Sequence, residues 1–306
     1  MFLGNHKYLL ITRRFFDKMV ENGFVNRIIN RSVKSVAPNV RHISGRCNVC
    51  GNRTIFSYQD NENIKYRNSL TCNECFTISR YRSIARGILK AIKDLRSIES
   101  ESIRDLINSY SNVSSSKRLE IYDTQVPFYY KSCYPIPDML SECKWINVQT
   151  SIFRPQERLG VNFGPNTSNQ NLEQLTFLDN SFDIVVTSDV MEHVRLDDRA
   201  HQEIRRVLKP EGVYLFTVPH GRVKPEGLIR VAVTDPLDPS KDQFILEKEY
   251  HGDANSPEHK SLSYRVYGTN LDKYLERLGF TVEYNRSDFP EMAIMNTELF
   301  YCKLSK

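Results

Sequence analysis

The chain has 306 residues, of which 40% are hydrophobic and 26% are charged, and its formal net charge is +5. This is the composition of an ordinary globular chain with enough apolar residues for a sizeable core, and the length suits one large domain with a smaller one. The mild positive charge is compatible with a phosphorylated or nucleic-acid partner without requiring one.

Three features argue against a membrane-spanning or secreted protein. No apolar run reaches the roughly 18–20 residues of a membrane span. The opening stretch MFLGNHKYLLITRRFF breaks its apolar run with basic residues and is a poor signal peptide. The seven cysteines comprise two CxxC pairs and three single residues, which is not the pattern of a disulfide framework. We therefore expect a cytoplasmic protein.

Residues 1–44 are predicted to be an N-terminal helical segment, because apolar residues recur there at helical spacing among basic ones. One interpretation is a helix packed on the body of the protein, and the other is a helix lying on an anionic membrane surface. The first is favoured because Asp17, Glu21 and Asn22 dilute the positive charge of the polar face.

Residues 45–110 are predicted to be a zinc knuckle followed by basic helices. Cys47 and Cys50 make one CxxC pair, and Cys72 and Cys75 make the other. Each pair lies on a predicted tight turn, and two such turns present four thiolates to one tetrahedral zinc ion. Four thiolates leave no open position for water, so the zinc is expected to be structural. A redox dithiol and four unrelated buried cysteines are the alternatives.

Two further elements are predicted within this module. Apolar residues at 55–58 and 64–66 flank a polar turn and predict a short hairpin. An amphipathic helix follows at residues 84–95. Basic residues line the other side of this helix: Arg80, Arg82, Arg86, Lys90 and Lys93. The helix either packs the module onto the next domain with this side in solvent, which is favoured, or binds nucleic acid with it.

Residues 117–306, after a short polar linker at 111–116, are predicted to form an α/β domain. Residues 182–188 contain an unbroken run of β-branched apolar residues at 184–186 and have no polar face, as in a strand buried on both faces, and 213–218 predict a second such strand. A helix is predicted between them at residues 197–208. Two buried strands around one helix make a right-handed parallel crossover.

The ends of these elements predict where a ligand binds. The turn at residues 210–212, Pro-Glu-Gly, is expected to separate the helix from the second strand. Ligands of parallel sheets bind beyond the carboxyl ends of the strands, which here are residues 188–193 and 219–220. Residues 281–284 and 297–302 predict a terminal antiparallel pair.

The stretch FDIVVTSDVMEHV…EIRRVLKPEGVYLFTVP closely resembles the central part of class I S-adenosylmethionine-dependent methyltransferases of the type 11 kind. The second CxxC with the following Arg80-Tyr81-Arg82 resembles relatives that carry a four-cysteine zinc knuckle before this domain. The resemblance implies a Rossmann-like seven-stranded sheet and S-adenosylmethionine as the cofactor. It also implies a small-molecule or sugar acceptor.

The resemblance also implies which residues face the cofactor. They are Tyr122, Asp123 and Thr124 at the first strand, Gln149 at the second, Asn171 and Leu172 in the loop before the crossover, and Ser188, Asp189 and His193 after the crossover's first strand. Most relatives have a glycine-rich loop after the first strand, whereas residues 123–127 here contain no glycine. A methyltransferase-like binding protein without activity is therefore an alternative, and an RNA methyltransferase is another.

Two histidines are candidate general bases, which methyl transfer requires if the acceptor is a hydroxyl group. His251 is preferred because Gly252 and Asp253 beside it offer a turn and a carboxylate that could orient the ring. His220 is the second candidate because it follows a predicted strand end. The sequence does not define the acceptor atom or the oligomeric state.

Overall fold

The structure is a computed structural model that describes residues 40–60, 66–113, 117–129, 133–220, 224–252 and 260–305. The helical segment predicted at residues 1–44 lies outside these ranges except for its last five residues. Within the described ranges, none of the helices combines the length and the apolar character needed to cross a membrane.

The described chain contains five α-helices and nineteen strands. The helices are α1 (Ser79–Arg96), α2 (Ile103–Tyr110), α3 (Ile136–Ser141), α4 (Asp197–Val207) and α5 (Leu271–Arg277). The first nine strands are β1 (Val40–Arg46), β2 (Arg53–Gln59), β3 (Thr71–Cys72), β4 (Leu119–Asp123), β5 (Phe128–Tyr129), β6 (Cys133–Tyr134), β7 (Ile146–Ile152), β8 (Asn162–Gly164) and β9 (Thr167–Asn169). The others are β10 (Phe182–Ser188), β11 (Leu208–Thr217), β12 (Leu228–Ile229), β13 (Val231–Ala232), β14 (Gln243–Phe244), β15 (Glu249–Gly252), β16 (Lys260–Ser263), β17 (Arg265–Val266), β18 (Phe280–Asn285) and β19 (Leu299–Leu304).

An eight-stranded sheet forms the centre of the molecule, in the order β18-β19-β11-β10-β4-β7-β9-β8. The five strands from β11 to β9 are parallel, and β19 and β18 continue the sheet antiparallel. This confirms the predicted α/β class and the predicted seven-stranded sheet, including its terminal antiparallel pair. Strand β8 is an additional antiparallel edge strand.

Strand β10 is buried along its whole length because both faces of the sheet are covered. Its side chains alternate between two hydrophobic clusters. Ile184 and Val186 belong to the cluster that includes residues of α1 and α2, and Val185 belongs to the cluster of α4 and α5. A strand with this environment has no polar face, which explains the unbroken apolar run in the sequence.

The prediction that a turn at residues 210–212 separates the helix from the second strand is wrong. Helix α4 ends at Val207, and β11 begins at the next residue and contains the Pro-Glu-Gly stretch. The pairing of β10 with β11 shifts register between Phe182 and Ile184, so the extra residues of β11 form a bulge there. A proline is tolerated in a bulge because no ladder hydrogen bond is required from its nitrogen.

The cysteine module is a three-stranded sheet in the order β1-β2-β3, and it differs from the predicted hairpin. Strand β2 pairs with β1 on one side and with β3 on the other, whereas residues 66–68 form a 3-10 turn. The domain boundary predicted between residues 44 and 45 therefore falls inside β1. Apolar spacing within residues 55–66 could not reveal a partner strand that precedes them.

Helix α1 joins the module to the central sheet. A side chain at Gly87 would come within 2.7 Å of the Leu299 side chain and 3.1 Å of Leu215, so the helix lies directly on β19 and β11. Ser79 at the start of the helix donates to the carbonyl of Met295 and accepts from its amide. The module and the sheet consequently share one hydrophobic cluster.

Candidate functional site

The four cysteines predicted to bind zinc come together. The Sγ atoms of Cys47 and Cys75 are 3.7 Å apart, and those of Cys50 and Cys72 are 4.0 Å apart. All four Sγ atoms lie within 4.8 Å of one another. On a tetrahedral zinc ion with Zn–S bonds of about 2.3 Å, neighbouring sulfur atoms are separated by roughly 3.8 Å. The cluster therefore has the dimensions of a site for one four-coordinate ion.

The two CxxC turns share one backbone geometry. The amide of Gly51 donates to the carbonyl of Cys47 at 2.8 Å, and the amide of Phe76 donates to the carbonyl of Cys72 at 2.9 Å. The residue after each pair has a positive φ, 76° at Gly51 and 56° at Phe76. Glycine adopts this conformation readily, whereas an aromatic residue such as Phe76 seldom does, so residue type alone does not indicate the geometry of the second turn.

Arg82, from the Arg-x-Arg pattern, is fully buried behind the cysteines. Its guanidinium donates hydrogen bonds to the backbone carbonyls of Leu70, Thr77, Met292 and Ala293. These carbonyls belong to the cysteine module and to the loop before β19. The charge is therefore satisfied internally and fastens the module to the domain.

Other basic residues of α1 are also engaged within the protein. The Arg86 guanidinium lies 3.8 Å from the ring centroid of Phe289, and the Lys90 ammonium lies 3.8 Å from that of Tyr301. These contacts support the interpretation in which α1 packs the module onto the domain. They leave fewer cations for a nucleic-acid backbone than the sequence suggested.

The cysteine module also reaches the carboxyl end of β10, where Ser188 and Asp189 lie. Arg80 donates to Ser188 Oγ at 2.7 Å and lies 3.2 Å from Asp189 Oδ2. The buried guanidinium of Arg67 makes a bidentate pair with the Asp189 carboxylate. Burial alone would raise the pKa of Asp189, but the two guanidiniums outweigh it and lower this pKa to about 2. Asp189 is therefore a fixed negative charge at the strand end.

Asp123 ends β4, beside β10, and is paired across the sheet with Val186. Its carboxylate accepts hydrogen bonds from the hydroxyl of Tyr134 at 2.6 Å and from the amide of Gln125 at 3.0 Å. Burial raises the pKa of Asp123 to about 7, although both hydrogen bonds oppose this shift. The short β5–β6 pair follows this strand end, with Tyr134 as its last residue.

Two polar atoms in the loop after β4 are buried and have no hydrogen-bond partner, Thr124 Oγ1 and Gln125 Oε1. Buried oxygen atoms are normally satisfied, so each of these two is available to accept from a donor. Both atoms can accept from an ammonium or a hydroxyl group.

Two predicted cofactor residues lie deeper in the sheet than expected. Tyr122 is fully buried, and its ring packs on Phe177 and Phe182 while its hydroxyl contacts Ser151. Only its backbone can therefore face a ligand. Gln149 lies opposite Tyr122 on β7, and this strand continues to Ile152. Gln149 therefore lies within the strand and not after it.

The loop before the crossover presents one polar group and one apolar group. Asn171 Oδ1 accepts a hydrogen bond from the amide of Glu173 at 3.0 Å. Leu172 is buried in the hydrophobic cluster that includes Phe182 and Ile204. Of these two predicted residues, only Asn171 offers hydrogen-bonding groups to a ligand.

His220, the second candidate base, follows β11 and is held by two partners. Its Nδ1 lies 2.5 Å from Glu298 Oε2, and its Nε2 lies 3.1 Å from the hydroxyl of Tyr284. The ring packs edge-on against Phe300 and Tyr284. Glu298 comes from the end of the chain, so its pairing with His220 had no signal in the sequence.

His251, the preferred candidate base, meets His193 at the turn after β10. His251 Nδ1 lies 3.3 Å from His193 Nε2, and the two rings are perpendicular. The carboxylate of Glu192 lies within 3.9 Å of both rings. Burial, with the nearby negative charge of Asp189 adding to it, raises the pKa of Glu192 to about 8. Asp253, expected to orient His251, lies outside the described residues, and Glu249 is within 3.3 Å of the ring instead.

The structure thus gathers the predicted residues into neighbouring groups at one edge of the sheet. Ser188 and Asp189 meet the cysteine module, Thr124 lies on the adjacent strand end, and His193 meets His251. Sequence reasoning missed Arg67 and Tyr134, because nothing local marks a residue that acts on a strand far away in sequence.

A large cleft lies elsewhere in the molecule. Its volume is about 830 Å³, and its lining includes Arg46, Arg86, Lys93 and Glu101. None of the strand-end residues lines it. We assign it no part in the site.

Comparison with known proteins identifies a related family for the centre of the chain. Residues 148–216 match a family described as a methyltransferase domain. This range extends from β7 through β11 and includes the crossover. No curated protein matches the sequence significantly.

Solved structures with similar folds share little sequence with the chain. A protein of Pyrococcus horikoshii is 16% identical with a TM-score of 0.40, and the match covers 76% of this chain and 95% of that one. An S-adenosylmethionine-dependent methyltransferase of Mesorhizobium loti is 16% identical with a TM-score of 0.38, covering 64% and 98%. The 1,6-didemethyltoxoflavin-N1-methyltransferase of Burkholderia thailandensis is 12% identical with a TM-score of 0.37, covering 62% and 72%.

Proposed function

We propose that this chain, which carries a methyltransferase domain across residues 148–216, transfers a methyl group from S-adenosylmethionine to a small molecule or a sugar. The family match and the strand order support a methyltransferase-type enzyme. The acceptor class and the residues that act on it are the new part of the proposal. We place the protein in the cytoplasm, because cysteine thiols are kept reduced there.

The unpartnered oxygens after β4 are the observation that carries the proposal. Thr124 Oγ1 and Gln125 Oε1 are buried where the family's glycine-rich loop would approach the amino acid part of the cofactor. A bound donor such as an ammonium group would satisfy either oxygen. The predicted cofactor residues that would complete the site are Tyr122 (through its backbone), Asp123, Thr124, Gln149, Asn171, Leu172, Ser188, Asp189 and His193.

Methyl transfer asks little covalent chemistry of the protein. When bound, S-adenosylmethionine supplies a methyl group activated by a sulfonium centre. The chain's own residues must hold the acceptor in line with this group and remove water, which supplies much of the rate. The β15–β16 hairpin lies against the turn after β10, since His193 Nδ1 lies 2.8 Å from the carbonyl oxygen of Leu262 on β16. Such a cover suits a small acceptor.

A hydroxyl acceptor must also lose a proton. His251 is the first candidate to accept it, because its ring is one-third exposed beside the strand end. His220 is the second, and the Glu298 carboxylate, 2.5 Å from its Nδ1, would orient the ring.

The cysteine cluster is proposed to bind a structural zinc ion. The Sγ separations fit a tetrahedral site, and four thiolates leave no position for a reacting water. Zinc would therefore order the module that holds Arg67 and Arg80 against Asp189.

Calorimetric titration with S-adenosylhomocysteine tests the proposal. Wild-type protein is expected to bind it, and Thr124→Val is expected to bind it roughly 10- to 100-fold more weakly because one hydrogen bond to a charged group is lost. Thr281→Val, at the exposed edge strand β18, is the matched control and should bind as the wild type does.

Two results would contradict the proposal. Absence of binding by the wild type, with no rise in its melting temperature, would favour a methyltransferase-like binding protein without activity. Equal affinity of the Thr124→Val variant would show that the loop after β4 does not contact the cofactor.

A further inference from the structure

Three groups that can bind a cation converge beside the carboxyl end of β10. Glu192 and His193 belong to the 3-10 turn Met191–His193, and His251 belongs to β15. His193 Nε2 is 3.8 Å from Glu192 Oε1 and 3.3 Å from His251 Nδ1, and His251 Nδ1 is 3.9 Å from the same carboxylate oxygen. They do not overlap with the four-cysteine cluster.

The tautomer of His193 follows from its outer hydrogen bond. His193 Nδ1 lies 2.8 Å from the carbonyl oxygen of Leu262. A carbonyl oxygen only accepts, so Nδ1 carries the proton. In the neutral ring, Nε2 then holds a lone pair, and this atom points into the cluster.

His251 is oriented in the same way. Its Nε2 lies 3.3 Å from Glu249 Oε1, and Glu249 is itself paired with Arg230. The Glu249 carboxylate accepts a hydrogen bond from Nε2, and this contact turns Nδ1 toward His193. His193 Nε2 and His251 Nδ1 therefore face each other across 3.3 Å. A cation between the two nitrogens would be bound by both rings.

Glu192 adds a buried carboxylate to the cluster. Its side chain is 2% exposed, and neither carboxylate oxygen accepts a hydrogen bond from a neighbouring residue. Among the described residues, the two imidazoles are the only basic groups within 4.0 Å of it. A cation bound here would be a partner for the two buried carboxylate oxygens, which no neighbouring residue satisfies.

We propose that Glu192, His193 and His251 bind a divalent transition-metal ion, separate from the zinc of the cysteine cluster. Two ligands about 2.0–2.1 Å from a tetrahedral zinc ion are separated by roughly 3.3 Å, which matches the separation of the two nitrogens. The carboxylate oxygen must move by roughly half an ångström to complete the set. Imidazole and carboxylate ligands suit zinc, manganese, iron or nickel.

A site with three protein ligands keeps at least one position open. His251 is one-third exposed, so an oxygen of water or of an acceptor hydroxyl can reach the ion from solvent. A cation there lowers the pKa of a bound hydroxyl, and His251 would then act as a ligand in place of a general base. The metal site itself does not rest on the proposed methyl transfer.

Metal content and cobalt spectra test the proposal on the full-length protein. After loading with Zn²⁺ and gel filtration, the wild type should retain about two equivalents and His251→Ala about one. With Co²⁺, the thiolate-to-cobalt absorption of the cysteine cluster should be unchanged in His251→Ala, while the second, thiolate-free set of bands disappears. Tyr250→Ala, the exposed neighbour on β15, is the control and should behave as the wild type.

A graded variant separates a metal ligand from a merely structural histidine. Glu249→Gln keeps all three ligands but weakens the orientation of His251, so the affinity of the second site for Zn²⁺ should fall about 10- to 100-fold. Glu247→Gln, an exposed neighbour, should leave this affinity unchanged.

The proposal is overturned if the wild type retains only the cysteine-bound equivalent, which would mean that a proton occupies the cluster. It is also overturned if a second equivalent binds but His251→Ala retains it. Both outcomes are read independently of S-adenosylhomocysteine binding, so a failure of the methyltransferase proposal would not be confused with either.

Discussion

Asp123 shows how burial changes the chemistry of a single residue. Its folded-state pKa of about 7 lies above the value near 3.9 expected in the unfolded chain. Between these values the unfolded chain has already lost the proton that the folded protein retains, so stability falls as the pH rises from about 4 to about 7. The cost is fully present above that window.

We therefore expect Asp123→Asn to remove this pH dependence. Relative to the wild type, the variant should gain about 2–3 kcal/mol in the free energy of unfolding between pH 5 and pH 8. Urea denaturation at the two pH values measures the difference. Asp198→Asn, at an exposed position in α4, should show no such gain. Parallel curves for Asp123→Asn and the wild type would refute the assignment.

Arg82 provides a second prediction about a single residue. Arg82→Met leaves four carbonyl groups without their donor, so we expect a loss of about 3–5 kcal/mol in the free energy of unfolding. Arg86→Met is the control, because it removes a cation–π contact worth about 1 kcal/mol. Denaturant titration compares the two, and equal losses would contradict the role given to Arg82.

The 3-10 turn at Tyr66–Asn68 and the start of α1 act together on the end of β10. Arg67 and Arg80 hold Asp189, and the amide of Asp189 donates to the carbonyl of Thr217 at 2.8 Å. The turn is ordered by the cysteine module around it. The order of the strand end therefore depends on an element more than a hundred residues earlier in the chain.

Hydrogen–deuterium exchange tests this dependence. Arg67→Ala should increase exchange in peptides that cover residues 186–193, and a chelator that removes zinc from the wild type should have the same effect there. Arg46→Ala, which breaks the ion pairs of the module with Glu101 and Asp105, is the matched control. If it loosens the strand end as much as Arg67→Ala does, the effect does not pass through Asp189.

Elements with a strong local pattern were predictable, and elements that depend on distant partners were not. The run at β10 and the CxxC pairs carry their signal in adjacent residues. Strand β1 lies where the apolar spacing of the preceding residues indicated a helical segment, because its partner β2 decides its conformation. The bulge in β11 likewise depends on its register with β10, which single-chain periodicity does not contain.

The same distinction holds for the site. The cysteines, Ser188, Asp189, His193 and His251 could be named from turns and strand ends in the sequence. Their partners could not, because Arg67, Glu249 and Glu298 have no local feature that distinguishes them from ordinary surface charges. Burial decides their role, and burial is a property of the folded chain.

Across the whole molecule, one hydrophobic cluster extends from the cysteine module to the central sheet. It contains Cys47 and Phe56 of the module, Ile84 of α1, and Val186 and Leu215 of the sheet. Because they share one cluster, the cysteine module and the central sheet depend on each other for stability. The division into segments 1–44, 45–110 and 117–306 stays a prediction, and it describes the order of the sequence better than the packing.

A truncated chain tests this dependence. A fragment of residues 117–306 leaves one face of β10 and β11 uncovered, so we expect it to lack a cooperative thermal transition. The full-length protein should unfold in one calorimetric peak that shifts to lower temperature when zinc is removed. A fragment that melts cooperatively near the full-length temperature would show that the domain folds on its own.

The histidine cluster combines residues from two separate parts of the fold. Glu192 and His193 belong to the turn that the sheet itself creates, whereas His251 comes from a surface hairpin inserted between β11 and α5. Surface insertions can be exchanged with little effect on the scaffold beneath them. Replacing this hairpin could therefore add or remove a reactive centre in one step, so the fold offers a modular route to new substrates.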